Sequence, residues 1–117
     1  MRELKFRIFV EEYKQLCEVL SIDFVNDYCC VLPEDELEGW NQIIVKGLEK
    51  LEQFTGRYDN NGEEVYVGDI LSDDGNILGE VFQWDDGQYS CGGYTGEHIG
   101  EFVKIGNIHE NADLLNE

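Results

Sequence analysis

The sequence has few positively charged residues. Its 117 residues include 8 Lys and Arg against 26 Asp and Glu, a formal net charge of -18. Residues 51–117 hold two basic side chains, Arg57 and Lys104, against 15 acidic ones. Because nucleic acids and anionic membranes are bound largely through Lys and Arg, we expect no direct binding to either. Three explanations of the acidic charge remain: a basic protein partner, mimicry of nucleic-acid charge, or plain solubility.

Long apolar segments are also missing. No run of the length that a membrane-spanning helix needs is present. The first residues are charged where a secretory signal would be apolar. The cysteines form no C-x-x-C pair, which favours reduced thiols and a cytoplasmic location. They are Cys17, Cys29, Cys30 and Cys91.

Motifs for metal, cofactor or phosphate binding are absent from the sequence. The adjacent carboxylates Asp73-Asp74 and Asp85-Asp86 each precede a Gly in a predicted turn. Neighbouring side chains there do not converge as acid–base catalysis requires. No segment has the calcium-loop spacing or a Gly-rich phosphate loop. We therefore predict no metal, no cofactor and no enzymatic activity.

One catalytic alternative is open. Cys91 and His98 could act as a thiolate nucleophile and its base in a small hydrolase or transferase. A lone Cys in a strand is more often a small core residue. The distance between the two side chains decides between these interpretations.

The chain has the composition of one folded domain, with 42% hydrophobic and 12% aromatic residues. Period-2 alternation and Asp-Gly turns predict a mainly β fold. We expect one domain over residues 1–117, with an N-terminal β portion (1–53) and a small SH3-like, partly open barrel (54–117). Predicted strands cover residues 4–10, 16–25, 28–32, 65–67, 69–71, 77–84, 88–91 and 102–108.

Several segments are less clearly specified. A helix fits residues 11–20 nearly as well as a strand, and residues 40–53 suit either a helix or a strand-turn-strand, with the latter favoured. Residues 33–39 are predicted as a loop or one helical turn, and residues 92–96 as a flexible loop. Asn111 is a candidate helix cap.

The aromatic residues lack interleaved basic side chains, so we assign them to the core rather than to a base-stacking platform. They are Trp40, Phe54, Tyr66, Phe82, Trp84, Tyr89, Tyr94 and Phe102.

The stretch 54–70 reads F-T-G-x-x-D-x-x-G-x-x-x-Y-x-G-D-I and resembles the signature of the YopX-like proteins of bacteriophages and prophages. The opening at 1–7 and the segment 103–115 resemble the two ends of that family, with Ala112 and Phe9 as departures. The family resemblance implies a mainly β fold, a phage origin and no established activity. The matching residues, which we expect to be structural, are Phe54, Thr55, Gly56, Asp59, Gly62, Tyr66, Gly68 and Asp69.

The favoured interpretation is a phage-type, non-enzymatic protein-interaction module with a protein partner of basic character. The first alternative is an acidic decoy that mimics nucleic-acid charge and occupies a host DNA-binding protein. The second is the Cys91–His98 enzyme. A homo-oligomer is a further expectation, because association hides the edge strands of a β protein.

Overall fold

The computed structural model describes residues 4–32 and 43–115. These residues are mainly β, as the sequence predicts, with three short 3-10 helices. The strands are β1 (Phe6–Val10), β2 (Gln15–Asp23), β3 (Tyr28–Val31), β4 (Ile43–Lys46), β5 (Glu52–Tyr58), β6 (Glu64–Tyr66), β7 (Asp69–Asp73), β8 (Asn76–Glu80), β9 (Phe82–Gln83), β10 (Tyr89–Cys91), β11 (Tyr94–Thr95) and β12 (Val103–Asn107). The 3-10 helices cover Leu48–Lys50, Gly96–Glu101 and Ala112–Leu115.

The chain divides into two compact units. One is Lys5–Gln53, called here the N-terminal unit. The other is Phe54–Glu117 with Met1–Leu4, called the C-terminal unit. The helices of the described residues are all too short to span a bilayer.

The N-terminal unit is an antiparallel sheet in which β4, β3, β2, β1 and the start of β5 are neighbours. Alternate residues of these strands point to one face and form an apolar core. Across that sheet Arg7 of β1 donates to Glu52 of β5 at 2.8 Å, both side chains being buried. The core residues are Ile8, Val10, Cys17, Cys29 and Val31.

The structure decides between the alternatives left open for this unit. Gln15–Asp23 is a strand, so the helix considered over residues 11–20 is wrong. Strand-turn-strand is confirmed over the described part of residues 40–53, because the chain there forms strand β4, the 3-10 helix Leu48–Lys50 and the start of strand β5. The loop predicted at 33–39 and the core position predicted for Trp40 lie outside the described residues.

The C-terminal unit contains two three-stranded sheets, ordered β12-β7-β8 and β11-β10-β9. After Phe54, β5 also pairs with β6. In the described part of this unit the strand ladders do not close into a full barrel. Side chains from six elements and connections meet in one core, formed by Val65, Leu71, Val81, Cys91, Ile99 and Phe102.

One segment of this unit that is predicted as a single strand forms two strands in the structure. Residues 77–84 alternate like a single strand, yet β8 ends at Glu80 and β9 begins at Phe82. Val81 lies between them, fully buried, and donates its N–H to the Asp69 carbonyl. Its own carbonyl accepts the Gly68 N–H. After Val81 the chain leaves its ladder with β7, and β9 pairs with β10 instead.

The flexible loop predicted at residues 92–96 is wrong. Gly92 and Gly93, with φ of 57° and 87°, make a tight turn between β10 and β11. The chain continues directly into the 3-10 helix Gly96–Glu101. Asn111 precedes the last 3-10 helix, but its side-chain oxygen accepts the Asn107 N–H rather than capping that helix.

The core assignment of the aromatic residues is only partly correct. Phe54, Tyr66, Tyr89 and Phe102 are buried, whereas Phe82, Trp84 and Tyr94 are exposed. Phe82 lies in β9, which is an edge strand among the described strands of its sheet, and Trp84 follows directly after it. Tyr94 rests against Phe102 with a centroid distance of 5.1 Å.

Candidate functional site

Asp59 organises the turn that follows β5. Its Oδ1 accepts the backbone N–H groups of Asn61 and Glu63, both at 2.9 Å. Its Oδ2 accepts the N–H of Lys104 at 2.9 Å. Burial acts to raise the pKa of Asp59, but the N–H donors of Lys104, Glu63 and Asn61 outweigh it and hold that pKa below 3.8. The carboxylate therefore remains ionised inside the turn at neutral pH.

The residues at the start of the signature stretch are also engaged in local contacts. The Thr55 hydroxyl donates to the Val65 carbonyl at 2.7 Å, bridging β5 and β6. Phe54 packs against Tyr66 with a centroid distance of 5.4 Å. Gly56 and Gly62 have φ of 82° and 83°, in the left-handed region that glycine adopts at least cost.

Asp69 and Gly68 hold the next turn. The buried Asp69 carboxylate accepts the Tyr66 N–H at 2.7 Å and lies 3.6 Å from the Lys104 ammonium. The same ammonium donates to the Glu64 carbonyl at 2.7 Å. Gly68, with a φ of 97°, donates its N–H to Val81. These contacts favour the prediction that the eight signature residues are structural.

The Cys91 and His98 side chains have separate partners. The buried Cys91 thiol donates to the Gly79 carbonyl at 3.4 Å, and burial raises its pKa to about 11. The His98 Nδ1 lies 2.8 Å from Glu101 and its ring contacts Tyr94. A thiol with that pKa is almost fully protonated at neutral pH, which is unfavourable for a nucleophile.

Among the residues that the structure describes, the cysteines and carboxylates do not gather elsewhere into a metal site. All four cysteines are free thiols. Within residues 4–32 and 43–115, no group of three or more His, Cys, Asp or Glu side chains is placed to hold a metal ion.

An open cleft of about 420 Å³ lies in the C-terminal unit. Its lining combines a cation, two carboxylates and two glycines. The buried Tyr89 hydroxyl has no hydrogen-bond partner among the described residues. The lining residues are Arg57, Asp86, Gly87, Gln88, Tyr89, Thr95, Gly96 and Glu97.

Two exposed aromatic side chains lie beside the acidic turn of the β9–β10 hairpin. Phe82 is 37% exposed and Trp84 is 55% exposed. Their rings meet edge to face with centroids 5.0 Å apart. Phe82 is opposite Ser90 in the ladder while Gln83 is opposite the buried Tyr89, so the two aromatics share the face away from Tyr89. We call Phe82 and Trp84 the aromatic pair.

Hydrogen bonds hold the acidic turn after the aromatic pair. The Trp84 N–H donates to the Gln88 carbonyl at 2.7 Å, and the Gly87 N–H donates to the Trp84 carbonyl. Asp86 accepts the Gln88 N–H at 3.0 Å. Asp86 thus belongs both to this turn and to the lining of the cleft.

Sequence reasoning missed the aromatic pair and Arg57. The absence of interleaved basic side chains argues against a base-stacking platform, but it does not distinguish a core position from an exposed one for Phe82 and Trp84. A signal for Arg57 did exist, because it is one of the two basic residues after position 50.

A search of curated proteins found no match. Among solved structures, the crystal structure of protein EF1440 from Enterococcus faecalis is similar, with a TM-score of 0.65 and 23% sequence identity. The alignment covers 98% of this chain and 99% of that one, and at this identity it shows a shared fold alone. The model of the YopX protein family matches residues 5–116. The chain therefore belongs to the YopX family.

Proposed function

We propose that this protein is a non-enzymatic interaction module whose C-terminal unit binds a basic segment of a partner protein. The observation that carries the proposal is the exposed aromatic pair beside Asp85 and Asp86. Aromatic faces attract Arg and Lys by cation–π interaction, and neighbouring carboxylates add charge complementarity. A basic segment satisfies both features at once.

The charge of the whole chain supports this choice of partner. With a net charge of -18, the protein attracts basic surfaces over several ångströms and repels acidic ones at low salt. Large exposed aromatics are depleted from ordinary surfaces and enriched in binding sites. The combination favours a binding surface over plain solubility at this position.

The decoy alternative has less support. Several carboxylates are used in internal contacts rather than displayed, namely those of Glu52, Asp59 and Asp69. A decoy for nucleic acid needs carboxylates free and spaced like phosphates. We therefore place it behind the interaction module.

Origin and location complete the proposal. The resemblance of residues 54–70 to the YopX-like signature supports a phage or prophage gene, and the free cysteines are compatible with the reducing cytoplasm of a bacterial host. Self-association is a separate expectation, which sedimentation equilibrium tests directly.

Fluorescence of Trp84 tests the proposed function. The chain has two tryptophans, so the variant Trp40→Phe leaves Trp84 as the sole reporter. We expect an acetylated, amidated peptide of four Arg-Gly repeats to change its emission saturably at low salt. The matched peptide with citrulline for Arg keeps the shape and loses the charge, so it should not bind. Equal responses to both peptides, or no saturable response to the Arg peptide, would overturn the proposal.

A further inference from the structure

Arg57 is an unpaired cation in the described part of the C-terminal unit. Of the two basic residues after position 50, Lys104 is engaged by Asp69 and by the Glu64 carbonyl. The Arg57 side chain is exposed, and no ion pair joins it to any residue in the described ranges. A lone guanidinium in so acidic a chain is an anchor for an anionic group of a ligand.

The space beside the guanidinium depends on Gly96. A Cβ at that position would lie 3.4 Å from both the Cβ and the carbonyl oxygen of Tyr89, and 3.8 Å from the Arg57 Nε. A larger side chain would fill the cleft next to Arg57. With glycine there, a planar carboxylate can approach the guanidinium fork.

The carboxylates of the cleft restrict the anion. Asp86 and Glu97 line the same space, and Glu97 is oriented by the Thr95 hydroxyl at 3.1 Å. A phosphate dianion would be repelled by two carboxylates, whereas a single carboxylate accompanied by a cation pairs with all three charges. A peptide that ends in Arg or Lys has this composition.

We propose that the cleft captures the free C-terminal carboxylate of a peptide whose last residue is basic. The carboxylate lies on Arg57, and the basic side chain lies towards Asp86 and Glu97. This inference rests on the proposed function and specifies it, since it makes the basic segment a C-terminal one. The cleft volume of about 420 Å³ is in the range of sites that hold small ligands.

Two peptides that differ only at the C-terminus test this inference. Both carry four Gly-Arg repeats; one ends in a free acid and the other in an amide. We expect isothermal titration at low salt to show about tenfold tighter binding of the free acid, because a bidentate Arg–carboxylate contact is lost on amidation. The backbone amide of Gly96, which lies beside Arg57 and outside the acidic turn, should shift in NMR spectra with the acid peptide and much less with the amide.

Variants of Arg57 provide the matched controls. Arg57→Gln should reduce the affinity for the acid peptide to that for the amide, and Arg57→Lys should give an intermediate value. Lys50→Gln removes the same charge from the N-terminal unit and should keep the tenfold preference. Since the Arg57 side chain is exposed and unpaired, its variants are expected to fold.

The outcomes separate this inference from the proposed function. Equal binding of the acid and amide peptides, or a preference that survives Arg57→Gln, would overturn the C-terminal carboxylate site alone. Absence of saturable binding for both peptides would overturn the site together with the proposed function.

Discussion

The Asp59 carboxylate accepts the backbone N–H of Lys104 across 45 positions of sequence, at 2.9 Å. Its other oxygen binds Asn61 and Glu63 within its own turn. One buried carboxylate therefore joins the turn after β5 to the start of β12. From these contacts we expect the ionised Asp59 side chain to stabilise the fold.

Asp59→Asn tests that role. Asparagine keeps one oxygen acceptor but presents an NH₂ group to a backbone N–H, so one part-buried donor loses its partner. We expect the free energy of unfolding to fall by about 2 kcal/mol at pH 7, measured by urea denaturation. Asp74→Asn is the control, because Asp74 is exposed, has a φ of 50° that Asn tolerates, and should change stability by less than about 0.5 kcal/mol. Equal effects of the two variants would contradict the role of Asp59.

The difference in the free energy of unfolding between the wild type and Asp59→Asn depends on pH, because the pKa of Asp59 is lowered in the fold. A carboxyl group with a folded pKa below the unfolded value of about 3.9 stabilises the fold above that unfolded value. The stabilisation is lost as pH falls through the folded pKa. The stability gap between the wild type and Asp59→Asn should therefore be constant from pH 7 to about pH 5 and narrow below it, as shown by urea denaturation at each pH. A gap that widens on acidification would contradict this.

The glycine turn between β10 and β11 gives a second stability prediction. A Cβ on Gly92 would lie 2.7 Å from the Leu78 carbonyl oxygen, whereas a Cβ on Gly93 would meet nothing within 4 Å. Both residues have positive φ, so alanine is strained at each. We expect Gly93→Ala to cost about 1 kcal/mol and Gly92→Ala about 3 kcal/mol, since only the latter must also move backbone atoms. Thermal unfolding checks the order, and Gly93→Ala being the more harmful would be inconsistent with the turn described.

Thiol reactivity tests the catalytic alternative. With a pKa of about 11, the Cys91 thiol is ionised in about one molecule in ten thousand at pH 7. Cys29 is also buried with a raised pKa, while Cys30 is only half-buried. Mass spectrometry after brief iodoacetamide treatment of the folded protein should find Cys30 alkylated well before Cys91. Rapid, selective labelling of Cys91 at pH 7 would instead revive the Cys91–His98 enzyme.

The hairpins of the C-terminal unit could be predicted because their turns are encoded locally. Asp74-Gly75 and Asp86-Gly87 each lie at a predicted turn, with Asp74, Gly75 and Gly87 at positive φ. The change of sheet at Val81 could not be predicted, because a residue that is buried in either sheet has the same apolar pattern. Strand β11 within residues 92–96 could not be predicted for a related reason: strands of two or three residues give too little alternation to detect.

Less of the candidate site than of the fold could be predicted from the sequence. Exposure of Phe82 and Trp84 depends on which face of the sheet is left uncovered, and that is a property of tertiary packing. The contact between Asp59 and Lys104 depends on a pairing between distant strands. In contrast, the contacts of Asp59 within its own turn are typical of its residue type, because Asp commonly accepts backbone N–H groups two residues on.

The most direct test of the central claim compares aromatic residues in the two units. Phe24 is 78% exposed in the N-terminal unit, so Phe24→Ala removes a comparable apolar surface without touching the aromatic pair. Isothermal titration with the amidated Arg-Gly peptide at low salt should show at least tenfold weaker binding for the double variant Phe82→Ala with Trp84→Ala. Phe24→Ala should bind as the wild type does. Undiminished binding by the double variant, or an equal loss in Phe24→Ala, would contradict the proposal that the aromatic pair is the binding surface.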